Sequence, residues 1–144
     1  MDIFLAGIIQ GSIQEVRVHS QDWRQPLISL LDRYVPEARV YDHFAAHPGG
    51  IEYDLDRIRA TLAEGNARAA ASDVVICWLP EASLGTALEM YLASQAGALV
   101  VTITPMAANW VIRAYSDHIF PDLESFKLFL ATGGLYGART KSAE

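Results

Sequence analysis

Two unbroken apolar runs, Val74-Val75-Ile76-Cys77-Trp78-Leu79 and Leu99-Val100-Val101-Thr102-Ile103, constrain this chain more than any other feature. Neither alternates apolar with polar residues, so a strand made from either has no face to give to water. Between them, Gly85 to Gln95 has the character of a helix, with Gly97 as its C-terminal stop. A buried strand, a helix and a second buried strand in that order require a parallel sheet covered on both faces.

The rest of the chain repeats the unit. Ile3 to Ala6 is a first strand ending at Gly7, and Gln25 to Tyr34 a helix closed by Pro36. Ala38 to Tyr41 is a second strand, and Asp54 to Ala71 a helix. Trp110 to Ser116 is a short helix and His118 to Phe120 a short fifth strand. Asp122 caps a last helix from Leu123 to Ala131, ended by Gly133-Gly134. Strand and helix alternate throughout, so the expected fold is α/β: a three-layer sandwich around a five-stranded parallel sheet. Its order is flavodoxin-like (Rossmann-like), 2-1-3-4-5. Residues 1–135 form one domain, and 136–144 read as a polar, frayed tail.

Charge and composition limit the partners. A net charge of −6 provides no positive field for a nucleic-acid polymer. No apolar run reaches the ~18 residues that span a bilayer, and the N-terminus lacks the basic stretch of a signal peptide. A cytoplasmic, soluble protein is expected. The single cysteine, Cys77, lies in an apolar strand and reads as a core thiol.

In a sheet of this order ligands bind beyond the carboxyl ends of the strands, between strands one and three. Three loops should therefore converge: Gly7 to Ser12, Pro80 to Thr86 and Thr104 to Asn109. Gly7, Gln10, Gly11 and Ser12 supply backbone N–H groups, an amide and a hydroxyl suited to an anion, and equally suit a tight strand exit. Ser83, Gly85 and Thr86 open a helix whose first N–H groups lack internal partners. Glu89 lies one turn inside it, beside a buried face expected at Leu88, Tyr91 and Leu92. The other reading makes Ser83 a plain cap and Glu89 a solvated acid. Tyr41, Asp42, Tyr53 and Asp54 bound the long loop from Asp42 to Tyr53 that is placed to cover the site and are candidates for the substrate pocket, although an acid at a helix start is already explained by the helix dipole. His43 and His47 are four apart but lack further ligands at a recognisable spacing, so no metal is expected. Asn109 can cap the helix that follows it or point its amide into a site. Asp73 lies at the amino end of strand three, where a helix-terminus or turn role is expected.

Together, Phe4-Leu5-Ala6-Gly7, Ile9 to Ser12, Ser72 to Val75, Ala82 to Glu89 and Asn109 to Arg113 resemble the nucleoside 2-deoxyribosyltransferase family. They are most similar to its hydrolytic branch, the 2′-deoxynucleoside 5′-monophosphate N-glycosidases. The resemblance implies that Glu89 attacks the anomeric carbon of a nucleoside or nucleotide and releases the base through a glycosyl ester. It implies that Ser83 and the Gln10-Gly11-Ser12 loop hold a 5′-phosphate, and that no cofactor is needed. It also implies that Asn109 serves a neighbouring subunit, hence a homodimer or larger assembly. Where the family carries an aspartate near the leaving base, this chain reads Glu64-Gly65-Asn66-Ala67-Arg68, with Glu64 the nearest acid. The nearest basic residue to the first loop is Arg17. The competing function is a non-catalytic nucleotide-binding or sensing module of the same fold.

Overall fold

The computed structural model describes residues 1–141, with side chains to Ala138. The five strands are β1 (Asp2–Gly7), β2 (Arg39–Asp42), β3 (Val74–Trp78), β4 (Leu99–Ile103) and β5 (His118–Phe120). All four pairings are parallel and the order is β2-β1-β3-β4-β5, the order expected. Cα partners across the centre are Ala6 with Cys77 and Cys77 with Thr102.

Seven α-helices complete the described residues: α1 (Arg24–Tyr34), α2 (His43–Ala46), α3 (Leu55–Ala71), α4 (Leu84–Ala96), α5 (Trp110–Tyr115), α6 (Leu123–Ala131) and α7 (Gly134–Lys141). Two apolar clusters hold the layers together. One joins Ile3, Leu5, Val74, Ile76 and Val101 of the sheet to Leu27 and Leu31 of α1 and Phe126 and Leu130 of α6. The other joins Phe4, Ala6, Val75, Cys77 and Val100 to Ala69 of α3, Met90 and Ala93 of α4 and Ile112 of α5. Alternate side chains of the same strands feed opposite cores, which is why the apolar runs of β3 and β4 contain no polar face.

The structure corrects three local expectations. The long loop after β2 contains α2 and a 3-10 turn, Gly50–Glu52. The polar tail is helical from Gly134 to Lys141, because Leu135 is buried in the first cluster and the Tyr136 hydroxyl donates to Glu37 at 2.6 Å. The part of the tail reading that covers residues 142–144 lies outside the described residues. In α4 the buried residues are Thr86, Met90 and Ala93, whereas Leu88 and Tyr91 are 50% and 43% exposed. That helix is apolar nearly all round, so periodicity could not select its inner face. No helix among the described residues is long and apolar enough to cross a membrane.

Candidate active site

The three loops meet at the carboxyl edge of the sheet. Ile8 N–H donates to Trp78 O at 3.1 Å, joining the exits of β1 and β3. The Thr104 hydroxyl donates to Leu79 O at 2.6 Å, joining those of β3 and β4. Gly11, with φ +54°, lies against Glu81: a Cβ there would fall 2.7 Å from the Glu81 Oε1 atom.

Ser83 caps α4, its hydroxyl accepting from Thr86 N–H at 3.3 Å. Space around Gly85 is open, with nothing within 4 Å of where its Cβ would be. The Thr86 hydroxyl is buried without a hydrogen-bond partner, one turn before Glu89. Glu89 is half-buried over the sheet, close enough to Cys77 for the two to interact electrostatically. Burial raises its carboxyl to about 8, and Arg24 opposes that rise. Glu89 is therefore recessed in protein yet open on one side, and largely protonated at neutral pH.

Arg24 is the residue that sequence reasoning missed. It opens α1, is 6% exposed, and its Nη1 donates to Asp42 Oδ1 at 2.7 Å. Its Nε donates to Gln21 Oε1 at 2.8 Å. The Gln21 amide in turn donates to Ile8 O and His19 O, both at 3.0 Å, which pins the loop after β1. The guanidinium lies 4.3 Å from the Trp23 ring and 5.0 Å from Phe44. Trp23 stacks on Trp78 at 5.9 Å. This close approach requires Gly7, where a Cβ would fall 2.5 Å from the Trp23 ring. Burial holds the Arg24 pKa below its ordinary value, against the pull of Asp42 and Glu89.

The other candidates fall into two groups. Gln10 and Ser12 are exposed on the turn closed by Ile13 N–H to Gln10 O at 3.0 Å. Asn109 is exposed and caps α5, its Oδ1 accepting from Val111 and Ile112 N–H at 2.9 and 3.3 Å. Tyr41, Tyr53 and Asp54 instead join a cluster on α3. Asp54 caps that helix through Arg57 N–H at 2.9 Å, and Arg57 covers the Tyr53 ring. Tyr53 hydroxyl reaches His47 Nδ1 at 3.4 Å, and Tyr41 hydroxyl reaches His43 Nδ1 at 3.2 Å under Arg68. Glu64 belongs here too, at 3.0 Å from Arg68 Nε and 3.3 Å from His47 Nε2. The Arg68 hydrogen bond lowers the Glu64 pKa, so this acid is held ionised and is not poised to give up a proton. Asp73 accepts from Asp2 N–H at 2.7 Å at the amino end of the sheet, which ties the start of β1 to that of β3 across 71 residues. Cys77 is fully buried and burial pushes its thiol up, as befits a core residue.

Solved structures with this fold include the 2-deoxyribosyltransferase of the psychrotolerant bacterium Bacillus psychrosaccharolyticus. It matches at TM-score 0.66 and 14% identity over 88% of this chain and 90% of that one. The chain shares its fold. Clostridium botulinum CMP N-glycosidase BcmB matches at TM-score 0.55 and 16% identity, over 92% of this chain and 99% of that one. A conserved protein from Enterococcus faecalis V583 matches at 0.59 and 15%, over 92% and 98%. No protein-family model matches the chain, and no curated protein matches it by sequence.

Proposed function

We propose that this chain is a nucleoside 2-deoxyribosyltransferase-like enzyme that cleaves the N-glycosidic bond of a nucleoside or nucleoside 5′-monophosphate. The observation that carries the reading is Glu89: a recessed carboxyl at the ligand end of the sheet, with a buried arginine acting on it. Two neighbours in fold, a 2-deoxyribosyltransferase and a CMP N-glycosidase, support it.

In this reading the ionised Glu89 carboxylate attacks the anomeric carbon. The carbon–nitrogen bond breaks and its electron pair leaves with the base, which takes up a proton. The resulting glycosyl ester is opened by water or by a second base. The sugar lies along the first turns of α4, its anomeric carbon at Glu89 and its 5′ end towards Gly11, Ser12, Ser83 and Gly85. Gly7 shapes the pocket through Trp23, and the buried Thr86 hydroxyl lies beside the sugar. Arg24 favours the ionised form of Glu89 and so acts as a positioning residue. Tyr41, Tyr53 and Asp54 stiffen the wall behind the leaving base.

The assembly is a homodimer or larger, working in the cytoplasm. Leu84 and Leu88 of α4 and Trp110 of α5 are 87%, 50% and 86% exposed, and Asn109 adjoins Trp110. A second copy covering these residues brings Asn109 to its partner's site. Sedimentation should show a dimer or larger species, converted to monomer by Leu88→Asp with Trp110→Asp.

The deciding experiment is chromatographic release of free base from a panel of nucleosides and 5′-monophosphates, with and without an acceptor base. Glu89→Gln should abolish release while ligand still binds. The protonated resting state of Glu89 favours the second reading, a binding or sensing module, and binding without release by the wild type from pH 6 to 9 would establish it.

A further inference from the structure

We propose that Glu81, held beside His19, determines the charge of the ligand by favouring a free 5′-hydroxyl over a 5′-phosphate. The inference rests on the N-glycoside reading above and assigns a role to a residue that reading does not use. Two features of the site would normally hold an anion: the N-terminus of α4 and the glycine-containing loop after β1. The structure puts a carboxylate between them. Glu81 precedes Ser83, the cap of α4, and its Oε1 lies 2.9 Å from His19 Nε2. The same oxygen would lie 2.7 Å from a Cβ on Gly11. Its side chain is 46% exposed, so a ligand can reach it.

The arginines nearest in sequence do not offset this charge. Arg17 is 66% exposed and sits beside Glu15 at 3.7 Å. Arg24 is taken up by Asp42 and Gln21. The Ser83 hydroxyl accepts from the Thr86 N–H, which leaves it a single neutral donor to offer and no positive charge. A ligand hydroxyl at this end can donate to Glu81, which accepts it as a charge-assisted hydrogen bond. A phosphate there meets a like charge instead. At a separation near 6 Å, repulsion of this kind disfavours the phosphate roughly tenfold to a hundredfold. The glycine at position 11 serves the same end, since any side chain would push the Glu81 carboxylate aside.

The test compares kcat/KM for one nucleoside and its 5′-monophosphate in the wild type, Glu81→Gln and His19→Gln, at low and high salt. The expected wild-type preference is for the nucleoside. Glu81→Gln should move the ratio roughly tenfold or more towards the monophosphate. Raising the ionic strength should move the wild-type ratio the same way and leave that of Glu81→Gln unchanged, a response that a steric role does not give. His19→Gln retains the charge and should retain the preference, which keeps the test valid if Glu81→Gln folds poorly. A wild-type preference for the monophosphate, or a ratio indifferent to both Glu81→Gln and salt, overturns the role of Glu81 and leaves the N-glycoside reading standing. Release of base from neither ligand removes that reading. The relative affinities of the two ligands for wild type and Glu81→Gln, measured by calorimetry, then decide the role of Glu81 in the same way.

Discussion

Arg24 donates from Nη1 to Asp42 Oδ1 at 2.7 Å, and the same guanidinium is the cation that acts on Glu89. One buried charge thus ties the end of β2 and the start of α1 to the acid on α4. Removing it has two separable effects. Asp42 loses its partner in a setting where the two side chains are 13% and 8% exposed, which costs about 3–5 kcal/mol in denaturant titrations. Glu89 loses the influence that lowers its pKa. Arg24→Gln should therefore move the acidic limb of the pH–rate profile to higher pH and cut base release at pH 7 roughly tenfold. Arg24→Lys should recover much of the profile. A loss of rate with no movement of the limb would show that Arg24 only supports the fold.

Glu89 itself sets a pH dependence with a definite sign. Its folded-state pKa is raised by burial from 4.5 to about 8. The folded protein therefore holds a proton that the unfolded chain releases between those values. This contribution to stability is complete below the unfolded pKa, and is lost as pH rises towards the folded one. For activity the order is reversed, since kcat/KM should climb through the same upper pKa as the nucleophilic carboxylate forms. Glu89→Gln imitates the protonated acid. It should raise the melting temperature at pH 8 by about 4 °C or more, yet change it little at pH 5. Equal melting shifts at the two pH values would refute the raised pKa.

Gly7 is fixed by an aromatic ring. A Cβ there would lie 2.5 and 2.7 Å from two carbons of Trp23 and 3.1 Å from the Trp78 carbonyl oxygen. The ring cannot withdraw without leaving Trp78, on which it stacks, and without disturbing Arg24 above it. Gly7→Ala should cost about 1–3 kcal/mol, shift the tryptophan emission, and lower base release further than the loss of stability explains. Unchanged emission would mean that the ring tolerates the methyl group.

The parts of this protein that were legible in its sequence are those decided locally. Continuous apolar runs can only be central parallel strands, so β3 and β4 disclosed the sheet. Ser83, Asp54, Asn109 and Asp122 each stand before a helix and each cap it, because short polar side chains reach the first free N–H groups. What was illegible depends on distant partners. A cation at a helix N-terminus opposes the helix dipole, so nothing near Arg24 marks it as useful. Asp42, 18 residues away, makes the arrangement possible. Helix α7 has the same origin, since Glu37 holds Tyr136 across a separation of 99 residues. The pairing of His19 with Glu81 likewise joins two loops that only the sheet order brings together.

Gly65 shows how the cluster on α3 can be tested. Alanine in place of a glycine inside a helix normally stabilises it by up to about 1 kcal/mol. Here a Cβ would fall 2.8 Å from His43 Nε2 and 3.1 Å from the adjacent ring carbon. The ring has little freedom to yield. Its Nε2 lies 3.1 Å from the Thr61 carbonyl oxygen, which can only accept, so Nε2 carries the hydrogen and Nδ1 accepts from the Tyr41 hydroxyl at 3.2 Å. Burial, helped by the nearby His47, lowers the His43 pKa and favours this neutral form. Retreat of the ring would break both bonds and its packing on His47, 4.6 Å away. Gly65→Ala should therefore destabilise the protein by about 1–2 kcal/mol, against the helix propensity of alanine. In a His43→Ala background the same change should become neutral or stabilising, because the opposing ring is gone and propensity alone remains. A double-mutant cycle by chemical denaturation measures the difference as a coupling energy, and a coupling near zero would show that His43 gives way freely.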